Sequence, residues 1–189
     1  TDFLPILSQR CKEKNIEFSC TPFYLDAVNE LEPYVDFYKV ASMDCNNYRF
    51  IETLAKLKKP LIISTGLSTY KEIKNALNSA KKFNKNTALL HCVSLYPSED
   101  DQLHLDQIDY LKNRYPNNVI GFSSHEYHDW SYSMLMSYAK GARSWERHID
   151  IEWPEHQVQK YCSLPHQCDD WFKAFHKSVE MAGGISSQR

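Results

Sequence analysis

Two histidines are the first residues in this chain that could do chemistry. His125 closes the run Val119-Ile120-Gly121-Phe122-Ser123-Ser124, and His148 closes Ala142-Arg143-Ser144-Trp145-Glu146-Arg147. Each run reads as a short strand with an imidazole at its carboxyl end. On neighbouring parallel strands two such rings can point into one place, and neutral imidazoles suit Mn²⁺, Zn²⁺ or Fe²⁺. The plainer reading is a pair of hydrogen-bonded structural histidines.

The other strand ends are polar as well. Thr21, Ser42, Ser64, Ser94 and Ser123 supply hydroxyls, Asp44 and Glu146 carboxylates, Tyr96 a phenol and Lys39 a cation. Hydroxyls, backbone N–H groups and one lysine suit a phosphate or carboxylate, which needs several donors and a nearby positive charge. Lys39 lies inside an apolar run, where an unpaired ammonium is costly. A bound anion would satisfy it, and so would a carboxylate such as Asp44 or Glu146. Ser64-Thr65-Gly66 alone could be an ordinary strand-to-helix turn. His91 and Cys92, as strand neighbours, should face opposite sides. His104, His128, His156, His166 and His176 fall in loops or helices and read as surface residues.

Strands alternating with helices would position these groups. The strands expected are Ile16–Cys20, Phe37–Val40, Leu61–Ser64, Thr87–His91, Val119–Phe122 and Arg143–Arg147. Helices are expected at Phe3–Glu13, Tyr24–Leu31, Tyr48–Leu57, Thr69–Lys82, Leu105–Tyr115, Trp130–Lys140 and Asp169–Ala182, the last ended by Gly183-Gly184. Ile73, Leu77 and Ala80 recur at helical spacing, as do Leu105, Ile108 and Leu111. Thr69 ahead of Glu72 is a capping-box pattern. Alternation of this kind implies a parallel sheet with right-handed crossovers. A (β/α)₈ barrel and an open doubly wound sheet both remain possible, and both bind ligands beyond the carboxyl ends of their strands.

Composition narrows the class. The 189 residues are 42% hydrophobic and 13% aromatic, which suits one globular core and excludes a disordered chain. A formal net charge of −2, with no long Lys/Arg run, argues against a nucleic-acid surface. No signal peptide and no apolar run of membrane-spanning length is visible, so a cytoplasmic protein is expected. None of the 6 cysteines forms a C-x-x-C pair, so buried free thiols are expected rather than a zinc or redox motif.

The strand ends, taken in order, resemble the sialic acid (N-acetylneuraminate) synthase family, phosphoenolpyruvate-dependent enzymes that make nonulosonic acids. The resemblance rests on Tyr38-Lys-Val-Ala-Ser42 with Cys45-Asn-Asn47, Ile63-Ser-Thr-Gly66, Leu90-His-Cys-Val-Ser-Leu-Tyr-Pro97, Gly121-Phe-Ser-Ser-His125 and Glu146-Arg-His148. Weaker elements at Cys20-Thr-Pro22 and Ser163-Leu164 extend it.

The resemblance implies a TIM-barrel domain of which this chain, as a single partial domain over residues 1–189, carries strands three to eight. The first two strands and a C-terminal antifreeze-like domain would lie outside it, and the chain alone is expected to be inactive. It further implies that Lys39, Ser42, Ser94 and Ser123 hold the phosphate of phosphoenolpyruvate and Thr21 and Ser64 its carboxylate. Asp44, Tyr96 and Glu146 would serve the reacting sugar. His125 and His148 would ligate a divalent ion, Mn²⁺ first, with Mg²⁺ or Co²⁺ as alternatives.

The implied reaction condenses phosphoenolpyruvate with an N-acyl hexosamine such as N-acetylmannosamine. Its methylene carbon attacks the open-chain aldehyde, water adds at the enol carbon, and phosphate leaves by C–O cleavage. A homodimer is implied for the full-length protein. Ser94 stands for a usual asparagine, Ser124 for the aspartate before the first histidine, and Asp44 for glutamate. The alternatives are a degenerate, non-catalytic relative kept for binding or assembly, and a generic phosphate-binding α/β enzyme.

Overall fold

The computed structural model describes residues 3–127 and 130–183. The chain divides into two compact units, Thr1–Leu89 and Leu90–Arg189. The first holds α1 (Leu4–Glu13), α2 (Leu25–Leu31), β1 (Tyr38–Val40), a 3₁₀ turn Ser42–Asp44, α3 (Tyr48–Lys56), β2 (Leu61–Ser64), α4 (Tyr70–Lys81) and the start of β3 (Thr87–Cys92). The second holds the end of β3, α5 (Asp106–Arg114), β4 (Ile120–Ser124), α6 (Trp130–Lys140), β5 (Trp145–Ile149), β6 (Cys162–Ser163) and α7 (Pro165–Met181). Strands follow sequence order, β1-β2-β3 in the first unit and β3-β4-β5-β6 in the second. The protein is thus an α/β fold with six parallel strands.

In the first unit Tyr38, Val40, Ile51, Leu54, Ala55, Ile63, Ala76 and Ala80 are almost wholly buried. Lys39, between Tyr38 and Val40, is half-buried on the opposite face of β1 and pairs in register with Ile62. The capping box forms as the spacing predicts. Glu72 N–H donates to the Thr69 hydroxyl at 3.3 Å, and Thr69 N–H donates to the Glu72 carboxylate at 2.8 Å. Ile73 and Leu77 complete that helix's buried face.

The strand expected at Ile16–Cys20 reduces to a single parallel bridge, Ser19 to Phe37. Phe18 N–H donates to the Asp36 carboxylate at 2.7 Å and its carbonyl accepts from Asp36 N–H at 2.7 Å. A side chain takes the place of one rung, and Ile16 stays 61% exposed.

In the second unit β4 and β5 pair with Phe122 opposite Trp145, Ser123 opposite Glu146 and Ser124 opposite Arg147. Gly121 makes the close approach possible, because a Cβ there would sit 2.4 Å from Ser144 O. Trp145 turns to the helices, donating to Ser137 Oγ at 2.9 Å and packing against Tyr138, Trp171 and Phe175.

β5 starts two residues later than the sequence predicts. Arg143 folds back to donate to Tyr138 O near the end of α6, with its guanidinium over the Tyr138 ring. α7 starts earlier, at Pro165, because Gln167 Oε1 accepts from Leu164 N–H at 2.7 Å and Pro165 fits the first turn. Gly184 lies outside the described residues, as does His128. No described helix is long and apolar enough to cross a membrane. All 6 cysteines are free, with Cys45 and Cys92 buried.

Candidate functional site

The parallel register sorts β4 and β5 into two faces, since side chains alternate along a strand. Ser123, His125, Glu146 and His148 share one face, and Ser124, Glu126, Trp145 and Arg147 the other. On the first face the Ser123 hydroxyl donates to Glu146 Oε1 at 2.7 Å. The His125 and His148 rings lie 5.2 Å apart between centroids, at 47°. His125 is buried and His148 exposed.

His125 Nδ1 lies 2.9 Å from Val93 O. A carbonyl can only accept, so Nδ1 carries the proton and the neutral ring keeps its lone pair on Nε2. Metal-binding histidines show this arrangement, in which the second nitrogen is anchored to a carbonyl. Among the described residues no group of three or more His, Cys, Asp or Glu side chains forms a metal set, so the imidazoles stand as a pair. Their chemistry and spacing fit a divalent ion that draws its other ligands from water or substrate.

Aromatic rings enclose the pair. Tyr96 packs on His125 at 4.1 Å and meets His148 edge-on at 5.9 Å. The loop carrying it is held where Ser98 N–H donates to His125 O at 3.0 Å. Burial raises the Tyr96 pKa, with Cys92, Glu146 and Tyr161 adding to it, so the phenol stays a donor at neutral pH. Tyr161 closes the other side, 5.1 Å from His148 and 5.3 Å from Tyr96. Sequence reasoning missed Tyr161, because it sits in an aperiodic stretch just before the two-residue β6. Ser94 is half-buried in the segment after β3.

The first unit carries its own candidates. Ser42 Oγ accepts from Gly66 N–H at 3.2 Å, which ties the 3₁₀ turn after β1 to the turn after β2. Asp44 Oδ1 accepts from Asn47 Nδ2 at 3.4 Å. Ser64 Oγ is buried with no hydrogen-bond partner in the structure. Such a hydroxyl is costly unless something accepts from it, or donates to it, in the working protein. Thr21 is half-buried after the Ser19 bridge.

Two other histidines are structural. His91 is buried, with Nε2 2.7 Å from Leu103 O and its ring stacked on Phe122. Burial holds its pKa below the usual value, partly offset by the Leu103 carbonyl. His156, expected as a plain surface residue, is half-buried instead. Its Nε2 lies 2.9 Å from the Asp150 carboxylate and its ring stacks on Trp153, which together draw it in from solvent.

The back face of the histidine strands holds a second feature that the sequence hid, a buried Arg147–Glu126 ion pair at 3.1 Å. Burial lowers the Arg147 pKa and Glu126 opposes the shift. An arginine starts from so high a value that it stays charged at neutral pH.

Known proteins are similar to this chain in sequence and in fold. The chain is 33% identical over 171 residues to N-acetylneuraminate-9-phosphate synthase of Drosophila melanogaster, covering 85% of this chain and 43% of that protein. It is 31% identical over 164 residues to pseudaminic acid synthase of Campylobacter jejuni, covering 86% and 46%. A crystal structure of N-acetylneuraminic acid synthetase from Leptospira borgpetersenii superposes with a TM-score of 0.88 at 29% identity, covering 99% of this chain and 65% of that one. The chain therefore spans less than half the length of these two sequence relatives. The NeuB family model matches residues 2–185, and the chain belongs to the NeuB family.

Proposed function

We propose that this chain is part of a nonulosonic acid synthase, which condenses phosphoenolpyruvate with an N-acyl hexosamine and releases phosphate. The observation that carries the reading is the His125–His148 pair, with the His125 tautomer set by Val93 O and the Ser123–Glu146 bond on the same face. The relatives named for sialic and pseudaminic acid synthesis support the reaction class. Parallel βα alternation supports reading the six strands as part of a (β/α)₈ barrel.

His125 and His148 would hold the divalent ion. Bound there, the ion would supply Lewis-acid polarisation of the acceptor's carbonyl. The chain's own groups bind and orient. Tyr96 and Tyr161 flank the acceptor side with rings and hydroxyls, and Glu146, held by Ser123, presents a carboxylate to sugar hydroxyls. For phosphoenolpyruvate the first unit offers Lys39, Ser42, Thr21 and the partnerless Ser64 hydroxyl. The second offers the hydroxyls of Ser94 and Ser123. Much of the acceleration in such a site comes from fixing two substrates in reacting geometry.

The name of the Drosophila relative supports one acceptor class by carbon counting: phosphoenolpyruvate contributes three carbons, so that protein's 9-phosphate product corresponds to a hexosamine phosphorylated at carbon six. The test incubates the full-length protein with Mn²⁺, phosphoenolpyruvate and N-acetylmannosamine, its 6-phosphate or related N-acyl hexosamines. Phosphate release that depends on the sugar is expected. Absence of release with every such sugar, while Mn²⁺ is bound, overturns the catalytic reading. It would favour a non-catalytic relative kept for binding or assembly.

A further inference from the structure

The ladder between β4 and β5 reaches Ser124 and Arg147, so His125 lies beyond the last paired residue of β4. A parallel bridge between Ser98 and Glu126, with Ser98 N–H donating to His125 O at 3.0 Å, holds this segment to the loop after β3, and a separate contact must hold it against the strand that bears His148. The back-face arginine does so. Arg147 Nη2 donates to the backbone carbonyl of Glu126 at 2.7 Å, and Nη1 donates to Glu126 Oε2 and to Ser124 Oγ, each at 3.1 Å. Its Nε donates to Ser163 Oγ on β6, and Ser133 on α6 donates to Glu126 Oε1. The guanidinium thus ties β4, β5 and β6, and its carboxylate partner ties in α6.

Arg147 directly precedes His148 and Glu126 directly follows His125. Each member of the pair therefore shares a peptide bond with one of the two histidines while pointing to the opposite face. The side chains are 10% and 1% exposed, so the pair is shielded from water and salt. A buried ion pair of this kind is weak evidence for stability, because its desolvation cost rivals its attraction. Positional specificity gives it a role that net stability does not.

We propose that Arg147 and Glu126 are positioning residues of the histidine site, fixing the separation of His125 and His148 without touching either ring or any ligand. The inference rests on the reading of His125 and His148 as a metal pair. It assigns the pair to metal affinity rather than to the strength of the fold. Support shells that only orient metal ligands are typically worth about 10–100-fold in affinity.

The test measures Mn²⁺ and Co²⁺ dissociation constants, with the Co²⁺ visible spectrum as a geometric signature, at a temperature where circular dichroism shows every variant folded. The double substitution Glu126→Leu with Arg147→Met replaces the pair by apolar groups and leaves no unpaired buried charge, so it should fold. Its metal affinity is expected to fall about 10–100-fold, with an altered Co²⁺ spectrum.

Two further variants act independently. Arg147→Lys keeps the charge but loses the planar fork, and should weaken binding to an intermediate degree. Moving the carboxylate, Ser124→Asp with Glu126→Gln, keeps an acid beside the same Nη1 nitrogen and should bind more tightly than Glu126→Gln alone. Wild-type affinity and spectrum in any folded variant lacking the fork would overturn the proposal. If the unaltered protein binds no ion, or binds one independently of His148, the metal-pair reading fails instead.

Discussion

Gly121→Ala should unlock the strand that carries His125. The added Cβ would lie 2.4 Å from Leu90 Cδ2, 2.4 Å from Ser144 O and 2.9 Å from Ser144 Cβ. The leucine methyl can swing away. The carbonyl cannot, because Ser144 O already accepts from Phe122 N–H at 2.9 Å, next to the Arg143 N–H bond to Ile120 O at 2.8 Å. Relief requires β4 and β5 to separate. Overpacking of this kind costs about 1–3 kcal/mol, and a stretched ladder bond about 0.5–1.5 kcal/mol more. The sum, about 1.5–4.5 kcal/mol, lowers Tm by roughly 3–18 °C in a chain of this size. Urea and thermal unfolding followed by circular dichroism measure it. A change within about 0.5 kcal/mol, the usual range for a surface substitution, would refute the close-approach argument.

Two further predictions probe the scaffold. His91 is held neutral by burial, so its folded pKa lies below its unfolded value of 6.5. The unfolded chain then takes up a proton that the folded chain does not, and stability is full above about pH 7 and falls as pH drops through 6.5. The loss can reach about 1.4 kcal/mol per pH unit. Urea midpoints at pH 7.5, 6.5 and 5.5 should diverge between the wild type and His91→Gln, and parallel curves would contradict the assignment. Thr69→Ala removes one half of the α4 capping box and should cost about 1 kcal/mol. A loss under about 0.3 kcal/mol in the same assay would show that the cap is not needed.

The legible parts of this sequence were those where period and punctuation agreed. Leu61–Ser64 matches β2 because an apolar run sits between Pro60 and a Thr-Gly turn. The α4 helix announced itself by cap and spacing together. The histidine pair was legible because both runs were read as strands ending at one sheet edge. Ile16–Cys20 misled because its apolar pattern carries no sign that the Asp36 side chain would take a rung of the ladder. β6 is two residues long, too short for any period to register. Glu126 and Arg147 were invisible as a pair, since their pairing needs the β4–β5 register and the exact residue at which β4 ends. Tyr161 depended on the path of an irregular segment, where Lys160 lies over the Tyr127 ring at 5.2 Å.

Manganese binding tests the central claim most directly. Titration of Mn²⁺ into the protein at neutral pH, with free ion read by electron paramagnetic resonance, should give one site per chain. His125→Ala and His148→Ala should each abolish it, while His104→Ala, on an exposed turn, should leave it intact. Binding that survives His148→Ala, or no binding at all, would contradict the metal pair and the synthase reading built on it.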